Sequence, residues 1–188
     1  MTASRTLRIG IGAAALSAAA ALALPSAGAT APPAAHTAVR PVAQDVSTAA
    51  TITRAQVIAR AKTWHPHTKY RIPYSQHRTH GGYRTDCSGY ASMALALSKP
   101  GPNTVGLATK TYTTRIAMSA LKTGDLVIDA TGNNNTRHVV IFEKWANKKH
   151  TSYWAYEQRG GYGTDHRVLT YGLKKGSQYH AYRPKNIR

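Results

Sequence analysis

Apolar residues in the first part of the chain after residue 50 recur at helical spacing. Thr53 can cap a first helix because its hydroxyl can accept a backbone N–H. Val57, Ala61 and Trp64 then share one face of that helix. A polar, turn-rich stretch separates it from the next run of strong helix formers. The spacing predicts helices over residues 54–64 and 87–98, and a short one around residues 114–121.

After Gly124 the apolar positions alternate with a period of two, which is typical of half-buried strands. The run Gly-Asn-Asn-Asn at 132–135 is a turn signal between two of them. The pattern predicts strands over residues 125–130, 138–145, 152–158, 167–171 and 178–183. Helices followed by an antiparallel meander form an α+β domain, in which the helical half covers one face of the sheet.

The first 29 residues have the features of a secretory signal peptide. Arg5 and Arg8 precede an uncharged, Ala-rich run over residues 9–24, and Ala-Gly-Ala at 27–29 matches a small-x-small cleavage site. The apolar run is too short and too rich in alanine to span a bilayer comfortably. We therefore expect a secreted protein with no membrane span once the signal is cleaved.

The remaining chain divides into a linker and one domain. Residues 30–51 are rich in Ala, Pro and Thr and have no apolar periodicity, which predicts a flexible linker. Residues 52–188 are long enough for a single domain with its own core, and they contain no visible repeat. We expect this domain to be a monomer.

Composition narrows the classes of function. The formal net charge is +18, and 42% of the residues are hydrophobic, so a basic but folded protein is expected. The single cysteine, Cys87, excludes an internal disulfide framework and a zinc site with several Cys ligands. Lys and Arg are scattered, and no nucleic-acid-binding motif is present. Anionic polymers outside the cell are the expected partners of the basic surface, and no specific nucleic acid is expected.

Cys87, His138 and Glu157 can form a catalytic set. Cys87 lies where a loop enters a helix, and the helix N-terminus favours a thiolate there. Gly89 just behind it allows close backbone approach. His138 opens one predicted strand, and Glu157 lies near the outer end of the next. If these strands pair as a hairpin, the sequence predicts a nucleophile, a base and a group that orients the base.

Histidine pairs occur in the loop between the first two helices, at His65 and His67 and at His77 and His80. Few acidic residues lie near them, and a zinc site needs a defined third ligand. We therefore expect no metal site and no cofactor. An oxidisable thiol outside the cell needs a reducing environment or a protected cleft.

Four motifs in order resemble the NlpC-type cell-wall cysteine peptidases, a papain-like family. YRTDCSGYASMAL at 83–95 is similar to the family's nucleophile motif, LKTGDLV at 121–127 to its Gly-Asp-Leu strand entry, and HVVIF at 138–142 to its His-Val-x-Ile strand. Upstream, Pro73-Tyr74 and Gly81-Gly82 resemble the Pro-Tyr and Gly-Gly pairs that precede the cysteine in this family. The resemblance extends from residue 53 to about residue 171 and implies a papain-like domain, with the nucleophilic cysteine at a helix start packed on an antiparallel sheet.

The resemblance also implies residue roles. Cys87 becomes the nucleophile, and its backbone N–H contributes to the oxyanion hole, while His138 becomes the general base. Tyr74 matches a tyrosine whose hydroxyl lies beside the reacting carbonyl. Asp86 and Ser88 flank the nucleophile and help to hold the substrate peptide.

The third catalytic position departs from the family pattern of His, Asn or Gln. The strand reads WAYEQ, which makes Glu157 the best match, with Gln158 and His166 as competitors. Glutamate here is more similar to the CHAP-type amidases, which also act on peptidoglycan. The bond that is cleaved stays open, between a γ-glutamyl bond of the stem peptide and another amide of the polymer.

The expected function is therefore that of a secreted, wall-associated cysteine endopeptidase acting on peptidoglycan stem peptides, of its own wall or a competitor's. Three alternatives remain. The same fold could serve an N-acyl amidase or an acyltransferase. The protein could instead be a non-catalytic cationic binder of wall polymers, or a secreted nucleic-acid-binding protein.

Overall fold

The computed structural model describes residues 50–188. The predicted signal peptide, 1–29, and residues 30–49 of the predicted linker lie outside the described residues. Ala50 and Thr51 are exposed, and Ile52 pairs with Ile187 near the C-terminus in an isolated parallel bridge. Within this range, no helix is both long enough and apolar enough to cross a membrane.

Helix α1 spans Arg54–Lys62, and its first turn is closed by a capping box. Gln56 donates its backbone N–H to Thr53 Oγ1 at 3.2 Å, and Thr53 N donates to Gln56 Oε1 at 2.9 Å. Val57 and Ala61 are fully buried on the inner face. The predicted helix and its cap are confirmed, although the helix ends two residues early.

Helix α2 spans Cys87–Ala94, and every one of its side chains is buried. It is shorter than the predicted 87–98 because Ala96 adopts a left-handed conformation with φ of 53°, which an α-helix cannot contain. A further one-turn helix, α3, spans Thr104–Leu107 and was not predicted. Asn103 caps it through its side chain.

The strands form two antiparallel sheets. A small hairpin pairs β1 with β2, and the six-stranded sheet has the order β3-β8-β4-β5-β6-β7. The bounds of the strands are β1 Thr79–His80, β2 Tyr83–Arg84, β3 Thr113–Ile116, β4 Leu126–Asp129, β5 His138–Trp145, β6 Tyr153–Arg159, β7 Gly163–Leu169 and β8 His180–Pro184. The predicted α+β class is confirmed.

Two predictions about this region were wrong. The expected helix at 114–121 is instead β3 followed by one 3₁₀ turn at Met118–Ala120, since Thr113, Thr114 and Ile116 are β-branched and their backbone pairs with β8. The sheet is also not a simple meander, because β8 returns to lie between β3 and β4. The β7 strand begins at Gly163, four residues before the predicted start.

Both faces of the large sheet are covered by apolar side chains. On one face, Val139 and Ile141 of β5 pack in a cluster that includes residues of α1 and α2. On the other, Val140 and Phe142 pack with Tyr153 and neighbouring residues. The alternation directs the odd and even residues of β5 to opposite faces of the sheet.

Candidate functional site

Cys87 is the first residue of α2, and the preceding residue caps the helix. Asp86 Oδ1 accepts the backbone N–H of Gly89 at 2.6 Å. The Cys87 side chain is 5% exposed, and its Sγ lies 3.7 Å from Thr104 Oγ1 in α3. The backbone N–H of Cys87, in the first turn, has no intrahelical acceptor and is therefore available to an external one.

Gly89 allows α2 to pack against the segment before it. A Cβ built at this position would lie 2.0 Å from the carbonyl oxygen of Arg84. No side chain fits there without displacing backbone. The close approach expected at Gly89 is therefore present, and it sets the distance between the start of α2 and β2.

His138 is hydrogen-bonded to Glu157 and has Cys87 as a neighbour. Its Nε2 lies 2.7 Å from Glu157 Oε2, which leaves Nδ1 as the ring nitrogen that can serve the thiol, and Cys87 contributes to the raised pKa of the imidazole. The strands β5 and β6 bring this about by pairing Val140 with Glu157, so that His138 lies two residues further along the same face. The structure therefore brings the three predicted catalytic residues together.

The surroundings favour the ionised forms of His138 and Glu157. Burial alone lowers the pKa of His138, but its interactions with Cys87 and Glu157, and their negative charges, outweigh burial and raise this pKa to about 9. Burial alone raises the pKa of Glu157, but hydrogen bonds and charges of His138 and Arg167 outweigh it and hold this pKa below its usual value. An imidazolium can therefore persist beside the thiol at neutral pH.

Arg167 on β7 contacts the carboxylate oxygen of Glu157 that His138 does not use. Its Nε donates to Glu157 Oε1, and its Nη2 donates to Tyr171 Oη at 3.2 Å. The Tyr171 ring in turn meets the His138 ring edge to face, with centroids 6.2 Å apart. Arg167 therefore supports two of the groups that surround the imidazole.

The other two candidates for orienting His138, Gln158 and His166, have other hydrogen-bond partners. Gln158 donates its amide to the carbonyl oxygens of Ile72 and Thr85, at 3.0 and 3.1 Å, and so ties the loop before α2 to the sheet. His166 Nε2 lies 3.0 Å from Glu143 Oε2. Of the three candidates, Glu157 is the residue in hydrogen-bonding contact with His138.

Tyr74 is partly buried and lines two cavities, one that contains Cys87 and one that contains His138. Burial, with added effects of Cys87 and Asp86, raises the pKa of its hydroxyl despite an opposing hydrogen bond from Gln76. The hydroxyl therefore stays protonated and able to donate.

Asp86 and Ser88 are engaged with neighbouring groups. Besides capping α2, Asp86 accepts a hydrogen bond from Ser88 Oγ and one from Arg84 Nε, each at 3.0 Å. Ser88 is 3% exposed. Both residues line the Cys87 cavity, but the carboxylate of Asp86 already serves the helix start and an ion pair with Arg84.

The cleft consists of two adjoining cavities with cationic walls. The cavity at Cys87 has a volume of about 200 Å³, and the one at His138 and Glu157 about 350 Å³. Arg137 lines both of them and hydrogen-bonds Asn134 rather than a carboxylate. This arrangement favours ligands that carry negative charge.

Three residues of the site were not predicted from the sequence: Arg167, Tyr171 and Thr104. The alternation of β7 placed Arg167 on one face of a strand, but its partner depends on the register with β6, in which Ala155 faces Arg167. A strand pattern in one sequence carries no register information between strands. Thr104 has no local signal, since it reaches Cys87 from a separate helix.

The histidines of the 65–80 loop form no metal cluster. Among residues 50–188, no three His, Cys, Asp or Glu side chains lie close enough together to hold a metal ion. His67 instead contacts Asp165, with Nδ1 and Oδ1 2.7 Å apart.

No protein-family model and no curated protein sequence matches this chain.

Proposed function

We propose that this protein is a cysteine hydrolase that cleaves an amide bond in the stem peptides of bacterial peptidoglycan, and that its domain is papain-like. The observation that carries the proposal is the hydrogen bond between His138 and Glu157, with Cys87 as a neighbour of the imidazole and the three residues lining adjoining cavities. A thiol at a helix start, an imidazole and a carboxylate are the parts of a nucleophile, a base and an orienting group.

Three further features support an acyl-transfer reaction. The uncommitted backbone N–H of Cys87 and the protonated hydroxyl of Tyr74 can donate to a developing oxyanion. The high pKa of His138, about 9, favours a thiolate–imidazolium pair at neutral pH. The cationic wall at Arg137 suits a stem peptide, which carries carboxylates.

In the first half of the reaction, the Cys87 thiolate attacks the carbonyl carbon of the amide. The carbonyl oxygen becomes an oxyanion beside the Cys87 N–H and the Tyr74 hydroxyl. The tetrahedral intermediate then collapses, the C–N bond breaks, and the His138 imidazolium donates its proton to the departing amine. A thioester at Cys87 and a neutral imidazole remain.

In the second half, a water molecule attacks the thioester. Neutral His138 takes one proton from this water, and the C–S bond breaks as the second tetrahedral intermediate collapses. The products are a free carboxylic acid and the regenerated thiolate–imidazolium pair. Glu157 accepts the Nε2 hydrogen bond throughout, so that the imidazole keeps its orientation and its positive charge is stabilised.

The test compares the purified protein with a Cys87→Ala variant on insoluble peptidoglycan under reducing conditions, and mass spectrometry identifies the released fragments. Fragments released by the wild type alone support the proposal, and their masses name the bond. A Cys87→Ser variant is a matched control, because it keeps the polar side chain and removes the thiolate. Release of the same fragments by all three proteins, or by none, contradicts hydrolysis at Cys87.

The net charge of +18 favours one other candidate, a non-catalytic binder of anionic wall polymers. In that case the Cys87→Ala variant binds sacculi as the wild type does, and neither protein releases fragments. Binding that weakens steeply with salt would accompany this outcome.

A further inference from the structure

A groove of about 610 Å³ lies away from Cys87. It runs between the loop after α1 and the outer strands β6 and β7. The same histidine pair that formed no metal cluster, His65 and His67, lines one wall of it. Arg167 lines both this groove and the His138 cavity, so the two adjoin at β7.

The floor of this groove is a series of stacked rings. His166 stacks between two others, with its centroid 5.0 Å from that of Trp154 and 4.2 Å from that of Tyr156. Glu143 fixes two of these rings, because it accepts a hydrogen bond from Tyr156 Oη at 3.2 Å and contacts His166 Nε2 at 3.0 Å. Trp154 is partly exposed, and the neighbouring Val168 is 41% exposed. Trp154 ends this series and is therefore the aromatic ring that the groove exposes in part.

The opposite wall is held in an unusual backbone conformation. His65 and His67 have φ values of 50° and 59°, in the left-handed region that residues other than glycine rarely adopt. The contact of His67 with Asp165 fixes the turn. Backbone strain of this kind persists where the surrounding structure requires it, and it is concentrated at binding sites.

The charged side chains that line this groove are cationic. Lys62 is exposed at its edge and Arg167 lines it, whereas Glu143 and Asp165 contact His166 and His67 without being among the lining residues. An exposed aromatic ring packs against the C–H faces of sugar rings, while a cationic side chain attracts carboxylates.

We propose that this groove binds the glycan strand of peptidoglycan, a chain of amino-sugar rings with carboxylate-bearing substituents. This proposal rests on the proposed function, because it assigns to the groove the strand whose stem peptide enters the Cys87 cleft. Trp154 stacks on a sugar ring, and Lys62 contacts a carboxylate. The adjoining wall at Arg167 allows one polymer to occupy both sites.

The test measures binding in the Cys87→Ala protein, which cannot cleave at the cysteine. Sacculi are stripped of their phosphate-bearing accessory polymers, and the fraction of protein that sediments with them is measured. Adding Trp154→Ala to this protein is expected to weaken its binding to sacculi roughly tenfold, which is about the effect of losing one stacking contact. Trp154→Phe retains a ring and keeps most of the affinity.

Lys62→Glu tests the cationic wall with an exposed side chain that folding does not need. It is expected to weaken binding, whereas Lys148→Glu makes the same charge change on an exposed loop outside the groove and leaves binding close to that of the parent. Thermal unfolding and near-ultraviolet circular dichroism of each variant verify that the fold is retained.

Two results would overturn the proposal: unchanged sacculus binding by both Trp154→Ala and Lys62→Glu, or loss of the parent's binding when the accessory polymers are removed. A soluble stem peptide without sugars separates this inference from the proposed function. Equal cleavage of that peptide by wild type and Trp154→Ala, with weaker binding of sacculi by the variant, supports both. Binding that depends on Trp154 without any cleavage supports the groove and refutes the hydrolase.

Discussion

Arg167 and Glu157 form an ion pair behind His138, in which the guanidinium Nε donates to the carboxylate oxygen that His138 does not use. The Glu157 carboxylate is fully buried, and each of its two oxygens contacts a cationic partner, His138 or Arg167. These partners compensate the buried negative charge. The orientation of the imidazole therefore depends on a residue of β7 as well as on β5 and β6.

Replacing Arg167 with alanine should slow the proposed reaction. Loss of a group that orients a catalytic residue typically lowers activity by about 10- to 100-fold. The effect should fall on kcat more than on KM. The acid limb of the pH–rate profile should move to higher pH, because the Glu157 carboxylate loses the positive charge that helps to hold its pKa down.

Arg167→Lys separates charge from geometry, since it keeps the positive charge but not the second hydrogen bond to Tyr171. Its activity should lie between those of the wild type and Arg167→Ala. Arg115→Ala, on the exposed side of β3, is the control and should be unaffected. An unshifted pH profile for Arg167→Ala would contradict this positioning role.

Glu157→Gln should lower the pKa of His138 from about 9. The amide can still hydrogen-bond to the ring but supplies no negative charge. In the proposed mechanism kcat should fall by about 10²- to 10⁴-fold, the range expected when an orienting carboxylate becomes an amide. NMR titration of His138 in the Cys87→Ala protein, with and without Glu157→Gln, measures the change in pKa. Identical titration midpoints would show that the Glu157 carboxylate does not raise the pKa of His138.

Stability should depend on pH on both sides of neutrality. The pKa of His138 is raised from 6.5 to about 9, so its stabilisation is complete below pH 6.5 and is lost as the pH rises through 9. The loss in unfolding free energy is at most about 3 kcal/mol. The pKa of Glu157 is lowered, so its contribution is present above its ordinary value of 4.5 and is lost as the pH falls below that value.

Urea unfolding at pH 6, 7.5 and 9 measures this dependence. Cys87→Ala removes one of the two groups that raise the pKa of His138, so its stability should fall less steeply above neutral pH. A wild-type protein equally stable at pH 6 and pH 9 would rule out the raised pKa.

Gly89→Ala should disrupt the start of α2, because the new Cβ would lie 2.0 Å from the Arg84 carbonyl oxygen. We expect a loss of about 1–3 kcal/mol in unfolding free energy, and lower activity from displacement of Cys87. Gly160→Ala is the matched control: its Cβ would meet no atom within 4 Å, and its φ is not in the left-handed region. Similar melting temperatures for the two variants would contradict the close approach.

Asp86 variants distinguish capping from substrate binding. Asp86→Ala should cost about 1 kcal/mol through loss of the N-cap to Gly89. Asp86→Asn retains a capping oxygen and should be close to wild type in stability. If activity on sacculi falls in Asp86→Asn despite normal stability, the negative charge contacts the substrate. If activity follows stability in both variants, Asp86 acts through the helix start alone.

Local patterns in the sequence determined much of the secondary structure and the identity of the central residues. The cap at Thr53, the helix that starts at Cys87 and the alternating strand His138–Trp145 depend on spacing and side-chain chemistry within a few residues. For the same reason, the alternation of apolar residues is enough to place His138 and Glu157 near the outer ends of two strands that can pair as a hairpin.

Tertiary structure alone decided the partners that depend on register and on distant chain segments. The sequence left Glu157, Gln158 and His166 as competitors, and the pairing of β5 with β6 selected Glu157 for His138. Arg167 depends in the same way on the pairing of β6 with β7. Register is set by packing across the whole sheet, because a shift of one residue would move every side chain to the opposite face, and no local pattern contains that information.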